Sequence, residues 1–306
     1  MTSIRVTRAL TIAGSDSGGG AGIQADLKTF QELGVYGMSA ITAITVQNTL
    51  GVHGVYPLPP EASAEQIEVV GSDLGVDALK TGMLFSADII RMVAEQIRKF
   101  GWEKVVVDPV MIAKGGAELL RTEAVQALKE DLLPLALVVT PNIPEAEVLS
   151  GMSIRSMGDR REAARRIREL GPKIVVIKGG HDGGEDGSFS GESRTSGNST
   201  GSGESGFSRN DDYRQGSGQV VDLIYDGSVF TELTGERVHT VHTHGTGCTF
   251  SAAIAAGLAK GMPSLVAIAN ARAFIQAAIE DGLNLGEGHG PTNHWAYGRR
   301  RQEVLR

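Results

Sequence analysis

Residues 87–109, ADIIRMVAEQIRKFGWEKVVVDP, contain the two kinds of element that decide the fold. The first part places apolar side chains at helical spacing and predicts an amphipathic helix over Ala87–Phe100. Its apolar face consists of Ile89, Ile90, Val93 and Ile97. The second part, Val105–Val107, is a short β-branched run without alternation, which is typical of a strand buried on both faces. This stretch therefore predicts a helix that leads into an interior strand.

The same order of elements recurs along the chain. A second helical pattern begins near Asp159, with Ala163, Ala164, Ile167 and Leu170 on its apolar face. Further unalternated apolar runs are Leu10–Ala13, Leu137–Val139, Ile174–Ile177 and Val220–Tyr225. Because strands and helices alternate, we expect the α/β class, with a mainly parallel central sheet and helices on both faces. Such sheets bind ligands beyond the carboxyl ends of their strands, so functional motifs should follow strands.

Composition excludes several functional classes. The 306 residues carry 29 Lys+Arg and 36 Asp+Glu, a net charge of −7, which argues against a nucleic-acid surface. Apolar residues make up 41% and charged residues 21%, which is enough for a sizeable core. The chain has no apolar run of the ~18 residues that a membrane span needs, and its polar start lacks a signal-peptide pattern. We therefore expect a cytoplasmic protein without membrane contact. A single cysteine, Cys248, excludes an internal disulfide.

One segment interrupts the pattern. Residues 182–219 contain 10 Gly and 9 Ser among 38 positions and cannot bury enough apolar surface to offset the entropy of ordering. Since apolar strands flank it, we expect a flexible insertion within a single domain spanning residues 1–306. An inert loop and a partly disordered flap are both compatible with this composition.

Two glycine motifs follow apolar runs. The turn His244-Gly245-Thr246-Gly247-Cys248 opens a helix of small residues, and free N–H groups at such a helix start bind anions. A thiol in that first turn is expected to have a depressed pKa, although lone cysteines are often buried and inert. The second motif, Gly14–Gly22, has the glycine spacing of neither a P-loop nor a dinucleotide-binding fingerprint. Its composition is equally typical of a binding loop and of a flexible turn.

Polar side chains stand at other strand ends. Asp108 follows Val107, and Asn142 and Glu145 follow the next strand. Their oxygens suit Mg²⁺, while the spacing of Asn142 and Glu145 equally fits a helix capping box. Lys178 ends a further strand and would bring a cation to the same edge. An anion site, a lysine and metal-capable oxygens are together what phosphoryl transfer requires.

Seven segments resemble the hydroxymethylpyrimidine/phosphomethylpyrimidine kinases of thiamine biosynthesis, which belong to the ribokinase-like superfamily. They are AGSDSGGGAGIQADLK (13–28), TAITVQN (42–48), KTGML (80–84), VDPVM (107–111), TPNIPE (140–145), KGGH (178–181) and HTHGTGCTFS (242–251). The resemblance spans about residues 9–295 and is expected to fail across 182–219. It implies a three-layer α/β/α ribokinase-like fold.

The resemblance also implies an activity and a site. The activity is ATP- and Mg²⁺-dependent phosphorylation of 4-amino-5-hydroxymethyl-2-methylpyrimidine, followed by phosphorylation of the monophosphate. The implied pyrimidine contacts are Gly14, Asp26, Gln47, Met83 and Val110. The implied phosphoryl site comprises Gly245, Thr246, Gly247 and Cys248, with Cys248 as the base or a close partner of the acceptor oxygen. The implied ATP or phosphate contacts are Asn142, Lys178 and Thr243, and the implied metal ligands are Asp108 and Glu145.

Two other interpretations stay open from the sequence. A pyridoxal kinase would share the superfamily and the cysteine-containing anion site, because both substrates carry a hydroxymethyl group on a nitrogen heterocycle. A non-catalytic pyrimidine-binding protein could use the same fold, although the intact phosphate motifs argue against it. The resemblance further implies a homodimer and small-molecule partners, namely ATP and the pyrimidine substrates.

Overall fold

The computed structural model of the chain describes residues 5–111, 122–180 and 218–304. Its strands are β1 (Arg8–Asp16), β2 (Tyr36–Asn48), β3 (Gly51–Pro57), β4 (Ala78–Thr81), β5 (Val105–Val107), β6 (Val138–Val139), β7 (Ile174–Ile177), β8 (Gln219–Tyr225) and β9 (Phe230–Glu236). They form a sheet in the order β3-β2-β1-β4-β5-β6-β7-β8-β9. The six strands from β2 to β7 in this order pair in parallel, whereas β3, β8 and β9 add antiparallel edges. The predicted mainly parallel sheet is thus confirmed.

The helices cover both faces of this sheet. They are α1 (Gly22–Glu32), α2 (Pro60–Asp73), α3 (Ala87–Phe100), α4 (Thr122–Ala127), α5 (Ile143–Ser150), α6 (Met157–Glu169), α7 (Thr246–Ala259), α8 (Ser264–Glu280) and α9 (Ala296–Val304). A π turn (Leu128–Leu132) and a 3₁₀ turn (Leu133–Leu135) follow α4. Helices α2 to α6 contribute to one hydrophobic core, and α1, α7 and α8 contribute to the other. The three-layer prediction is confirmed.

Strand β5 shows why unalternated runs serve this architecture. Val105 and Val107 pack into the core on one side of the sheet and Val106 packs into the core on the other side. All three are fully buried, so a polar residue at any of these positions would have to leave water. The prediction that such runs are interior strands is confirmed.

Helix α3 has the bounds predicted from its periodicity. The Ser86 side chain accepts a hydrogen bond from the Ile89 N–H at its start, and Gly101, at φ 63°, ends it in a left-handed conformation. Its apolar face is almost completely buried against the sheet. Each large aliphatic side chain buried there contributes roughly 1.5–3 kcal/mol of transfer free energy.

The strand register determines where the site forms. Ile12 pairs with Thr81, Thr81 with Val107, and Val107 with Val139. Because these strands run parallel, the residues that follow them emerge side by side at one edge of the sheet. Asp108 is the residue that follows Val107 there.

The glycine- and serine-rich segment lies outside the described residues except for Gly218 and Gln219. Gln219 is the first residue of β8, so the predicted end of the insertion at 219 is one residue too late. The single domain over 1–306 stays a prediction. Within the described ranges, no helix combines the length and the hydropathy needed to cross a membrane.

Candidate active site

The two glycine motifs meet at the carboxyl edge of the sheet. Gly245 has φ +83°, and a β-carbon there would lie 1.7 Å from the carbonyl oxygen of Gly20. A β-carbon on Gly20 would in turn lie 2.6 Å from Cδ2 of His244. Glycine is needed on both sides of this contact because no side chain fits. The interpretation of Gly14–Gly22 as a mere flexible turn is therefore wrong, since the loop packs directly onto the start of α7.

The start of α7 leaves N–H groups available to a ligand. Gly245 is its N-cap and supplies no side chain, so the first-turn N–H groups lack the usual side-chain acceptor. The Thr243 carbonyl closes the preceding turn by accepting hydrogen bonds from the Thr246 N–H (3.3 Å) and hydroxyl (2.7 Å). The helix dipole adds positive potential at this point. This geometry can bind an anion such as a phosphoryl group.

A lysine–aspartate pair lies beside this turn. Lys178 Nζ is 3.0 Å from Asp108 Oδ1, and Asp108 is almost fully buried. A β-carbon on Gly247 would lie 3.5 Å from both Lys178 Nζ and Asp108 Oδ2. Burial would lower the pKa of the Lys178 ammonium, but Asp108 and then Glu145 outweigh it and raise the pKa. Lys178 is therefore a permanent cation next to the N–H groups of α7.

Asn142 and Glu145 form the capping box that their spacing predicts. The Glu145 N–H donates to Asn142 Oδ1, and the Asn142 N–H donates to Glu145 Oε2, both at 2.8 Å. Burial raises the pKa of Glu145 to about 7, and the charge of Asp108 adds to this rise while Lys178 opposes it. In the described part of the chain, no three His, Cys, Asp or Glu side chains are grouped so that they could hold a metal ion. A metal role for Asp108 and Glu145 stays a prediction.

Several of the predicted pyrimidine contacts lie near this edge. A β-carbon on Gly14 would lie 2.4 Å from Cε of Met83, so the two positions touch. The Thr42 hydroxyl donates a hydrogen bond of 2.7 Å to the Met83 carbonyl oxygen. The Val110 N–H donates to the Asp108 carbonyl at 2.8 Å.

Gln47 stands at the end of β2, and its backbone exchanges hydrogen bonds with the Ser17 hydroxyl at 2.8 Å. Ser17 belongs to the Gly14–Gly22 loop. The amide side chain of Gln47 is half-buried and lies against Thr45 and His244. Its position beside the loop and the α7 turn fits the predicted pyrimidine contact, which stays a prediction.

Asp26 differs from the other predicted pyrimidine contacts because it is fully buried on α1. Its carboxylate accepts hydrogen bonds from Thr11 Oγ1 at 2.6 Å and from Lys80 Nζ at 2.9 Å. Burial would lower the pKa of Lys80, but the charge of Asp26 outweighs it and raises the pKa. Sequence reasoning missed Lys80. The signal was a lysine inside an apolar interior strand, since a buried charge requires a partner.

Cys248 lies in the first turn of α7, and the residue as a whole is half-buried. Burial raises the pKa of this thiol to about 11, and the negative charges of Asp26 and Asp108 add to the rise. The nearby charge of Lys80 opposes the rise without reversing it. The predicted depression of the Cys248 pKa is therefore wrong, because burial and the neighbouring carboxylates raise the pKa by more than Lys80 lowers it.

Asp16 and His244 were also missed as site residues. The Asp16 carboxylate accepts the N–H groups of Gly18 (2.8 Å), Gly20 (3.0 Å) and Ala21 (2.8 Å), and it contacts His244 Nε2 at 2.9 Å. Burial would raise the pKa of Asp16, yet these hydrogen bonds, led by that from His244, hold it below its usual value. The available signal was an acid at the end of β1 followed by glycines, whose N–H groups can wrap a carboxylate.

Comparison with known proteins is consistent with this geometry. The family described as phosphomethylpyrimidine kinase matches residues 16–200 and 208–293. The match continues into the glycine- and serine-rich segment and leaves only residues 201–207 uncovered between its two parts. The prediction that the resemblance fails over all of residues 182–219 is therefore wrong, because the gap is much shorter. The chain is 50% identical, over 96% of its length and 97% of the relative's, to the hydroxymethylpyrimidine/phosphomethylpyrimidine kinase of Bacillus subtilis.

Two solved structures are similar throughout. The pyridoxal kinase from Staphylococcus aureus, in complex with AMP-PCP and pyridoxal, has a TM-score of 0.79 at 38% identity and covers 96% of each chain. The phosphomethylpyrimidine kinase from Clostridium difficile has a TM-score of 0.70 at 39% identity and covers 90% of this chain and all of that one. The expected ribokinase-like fold is thereby confirmed. The chain therefore belongs to the phosphomethylpyrimidine kinase family.

Proposed function

We propose that this kinase transfers the γ-phosphoryl group of ATP to the hydroxymethyl group of 4-amino-5-hydroxymethyl-2-methylpyrimidine, and then phosphorylates the monophosphate to the diphosphate. The observation that carries the proposal is the contact of the Gly14–Gly22 loop with the α7 turn, with Lys178 and Asp108 beside it. The name of the Bacillus subtilis relative supports the choice of substrate.

In this reaction the protein mainly positions the reactants and neutralises charge. At the start of α7, the N–H groups of Gly245 and Gly247 would stabilise the transferring phosphoryl group, with Thr246 between them held by the Thr243 carbonyl. The Lys178 ammonium would balance its equatorial oxygens, and Asn142 and Thr243 would contact the ATP phosphates. Binding of an ATP analogue by the Staphylococcus aureus pyridoxal kinase supports a nucleotide at this edge.

Cys248 would lie next to the acceptor hydroxyl. With a pKa of about 11, only about one thiol in ten thousand is ionised at pH 7. This value favours the role of a close partner of the acceptor oxygen over that of a general base. A Cys248→Ser enzyme that keeps near-native turnover in both steps would exclude the base role, whereas a loss of 100-fold or more in kcat would restore it.

Mg²⁺ fits the oxygens available at this edge. It is ordinarily held by one or two carboxylates together with waters and phosphate oxygens, and Asp108 and Glu145 provide two carboxylates close enough to influence each other's charge. Asp108 and Glu145 would hold the ion, which would supply positive charge against the ATP phosphates. Lys178 would keep Asp108 oriented through its 3.0 Å contact.

The deciding experiment is a coupled ATP-consumption assay with the hydroxymethylpyrimidine, with products identified by mass. We expect the monophosphate to appear first and the diphosphate to follow. ATP consumption without either product would refute the proposal. Calorimetric binding of the pyrimidine without any ATP consumption would instead indicate a non-catalytic binding protein.

A pyridoxal kinase is the second candidate, favoured by the similarity to the Staphylococcus aureus pyridoxal kinase over nearly the whole chain. The same assay with pyridoxal in a parallel reaction separates the two, because the substrate with the higher kcat/KM identifies the activity. The homodimer, the cytoplasmic location and the nucleotide flap formed by the insertion stay predictions. Deletion of the insertion without change in the KM for ATP would contradict the flap.

A further inference from the structure

The side-chain amide of Gln47 lies between two hydrogen-bonding groups of the protein. The structure places the amide oxygen 3.1 Å from Thr45 Oγ1 and the amide nitrogen 3.4 Å from His244 Nε2. The oxygen and nitrogen of an amide have nearly the same shape, so which end is which follows from the donors and acceptors around it. Both neighbours of Gln47 have their protons fixed by further contacts.

The His244 proton is fixed by Asp16. His244 Nε2 lies 2.9 Å from Asp16 Oδ2, and the carboxylate can only accept hydrogen bonds. His244 Nε2 therefore carries a proton, which is directed chiefly at Asp16, and it has no lone pair that could accept a hydrogen bond. At the longer distance of 3.4 Å it can only share this N–H with an acceptor on Gln47. A second donor facing it, such as the NH₂ end of the Gln47 amide, would be repelled.

The Thr45 proton is fixed by Ser15. Thr45 Oγ1 lies 2.9 Å from the carbonyl oxygen of Ser15, which also only accepts. A hydroxyl has one proton, so once it is donated to Ser15 the oxygen offers lone pairs to Gln47. The hydrogen bonds are therefore better satisfied with the amide turned by 180°, so that its NH₂ group faces Thr45 and its oxygen faces His244.

We propose that His244, held by Asp16, is a positioning residue that locks the Gln47 amide in one orientation and thereby sets the order of donor and acceptor presented to the substrate ring. The inference rests on the proposed function in taking Gln47 as the contact to the pyrimidine edge. An amide fixed at both ends pairs only with a ring edge of complementary order, here a ring nitrogen that accepts beside an exocyclic amine that donates.

The 4-oxo analogue of the substrate reverses this order. It keeps the hydroxymethyl group that receives phosphate, but its ring N–H donates and its exocyclic oxygen accepts. An amide locked in one orientation should reject this edge, because both hydrogen bonds would be replaced by repulsive pairs. From the usual value of a bidentate contact, we expect kcat/KM to favour the 4-amino substrate by about 100-fold.

The test compares kcat/KM for the 4-amino and 4-oxo substrates across variants. His244→Leu removes the donor, so the preference, which is a ratio of two substrates on the same variant, should fall to about 10-fold. His244→Gln keeps an N–H at a similar position and should restore the preference. His53→Leu is the matched control, an exposed histidine in β3 that pairs only with Asn48 among the described residues and should leave the preference unchanged.

An unchanged preference in folded His244→Leu, or no preference in the wild type, would overturn the proposal even if both substrates are phosphorylated. Side-chain NMR of the wild type supplies a readout that needs neither a variant nor turnover. We expect a stronger nuclear Overhauser effect from the Gln47 NH₂ protons to the Thr45 methyl than to the His244 ring. The reverse order would also overturn the proposal. If the wild type phosphorylates neither pyrimidine, the proposed function fails, and this NMR result alone decides the role of His244.

Discussion

Replacing Gly245 by alanine tests whether the contact between the glycine loop and α7 builds the phosphoryl site. The β-carbon would lie 1.7 Å from the Gly20 carbonyl oxygen, about half of an ordinary van der Waals separation. The loop or the helix start must then move by roughly 1.5 Å. Since a misplacement of about 1 Å can cost about 100-fold in rate, we expect kcat to fall by about 100-fold or more.

The matched control is Gly261→Ala at the other end of α7. Gly261 has φ +80°, nearly that of Gly245, but no described atom lies within 4 Å of its β-carbon position. It should lose only the ~1–2 kcal/mol of a left-handed alanine, with kcat unchanged. Initial rates of ATP consumption and urea unfolding of both variants measure the two effects separately. Equal rates for the two alanine variants would show that the close contact does not shape the site.

Three further predictions follow from buried contacts. Asp26→Asn and Lys80→Met should each lower the free energy of unfolding by about 3–5 kcal/mol, because each leaves a buried charge unpaired. The double variant, measured like the others by urea unfolding, should recover part of this loss. Additive losses in the double variant would contradict the pairing. Gly14→Ala should displace the flexible end of Met83, raising the KM for the pyrimidine several-fold and costing about 1–3 kcal/mol of stability. An unchanged KM would place Met83 outside the pocket. Burial would raise the pKa of Asp16, but its hydrogen bonds hold the pKa in the folded state below the usual 3.8. The ionised carboxylate therefore contributes its full stability above pH ~4. This contribution is lost as the pH falls through the pKa of the folded state. The stability difference between wild type and Asp16→Asn, measured by urea unfolding, should therefore shrink on acidification from pH 5 to pH 3, and a constant difference would contradict this.

The interior strands and α3 were predictable because burial acts directly on residue type. A strand covered on both faces cannot carry solvated side chains, so Val105–Val107 reads as an apolar run in any context. Helix α3 likewise needs one apolar face at a spacing of 3.6 residues, a cap and a glycine end, and all of these are local in sequence. The capping box of Asn142 and Glu145 is local for the same reason.

The contacts that make the site specific are distant in sequence. Asp16 and His244 are 228 positions apart, and Lys80 and Asp26 are 54 apart. The spacing of these residues in the sequence predicts neither pair, because only the register of the sheet and the packing of α1 and α7 bring the partners together. The pKa of Cys248 depends in the same way on burial and on carboxylates from other elements.

The sequence by itself determined the α/β class, the bounds of the strongly periodic elements and the motifs that end at one edge of the sheet, because hydrophobic burial and helix capping act over a few residues. Tertiary structure alone decided that the Gly14–Gly22 loop lies on the α7 turn, that Asp26 is paired to Lys80 instead of standing free, and that the pKa of the Cys248 thiol is raised and not lowered. The physical reason is that close backbone approach, desolvation and charge pairing depend on distances in space, and those are fixed only when the whole sheet assembles.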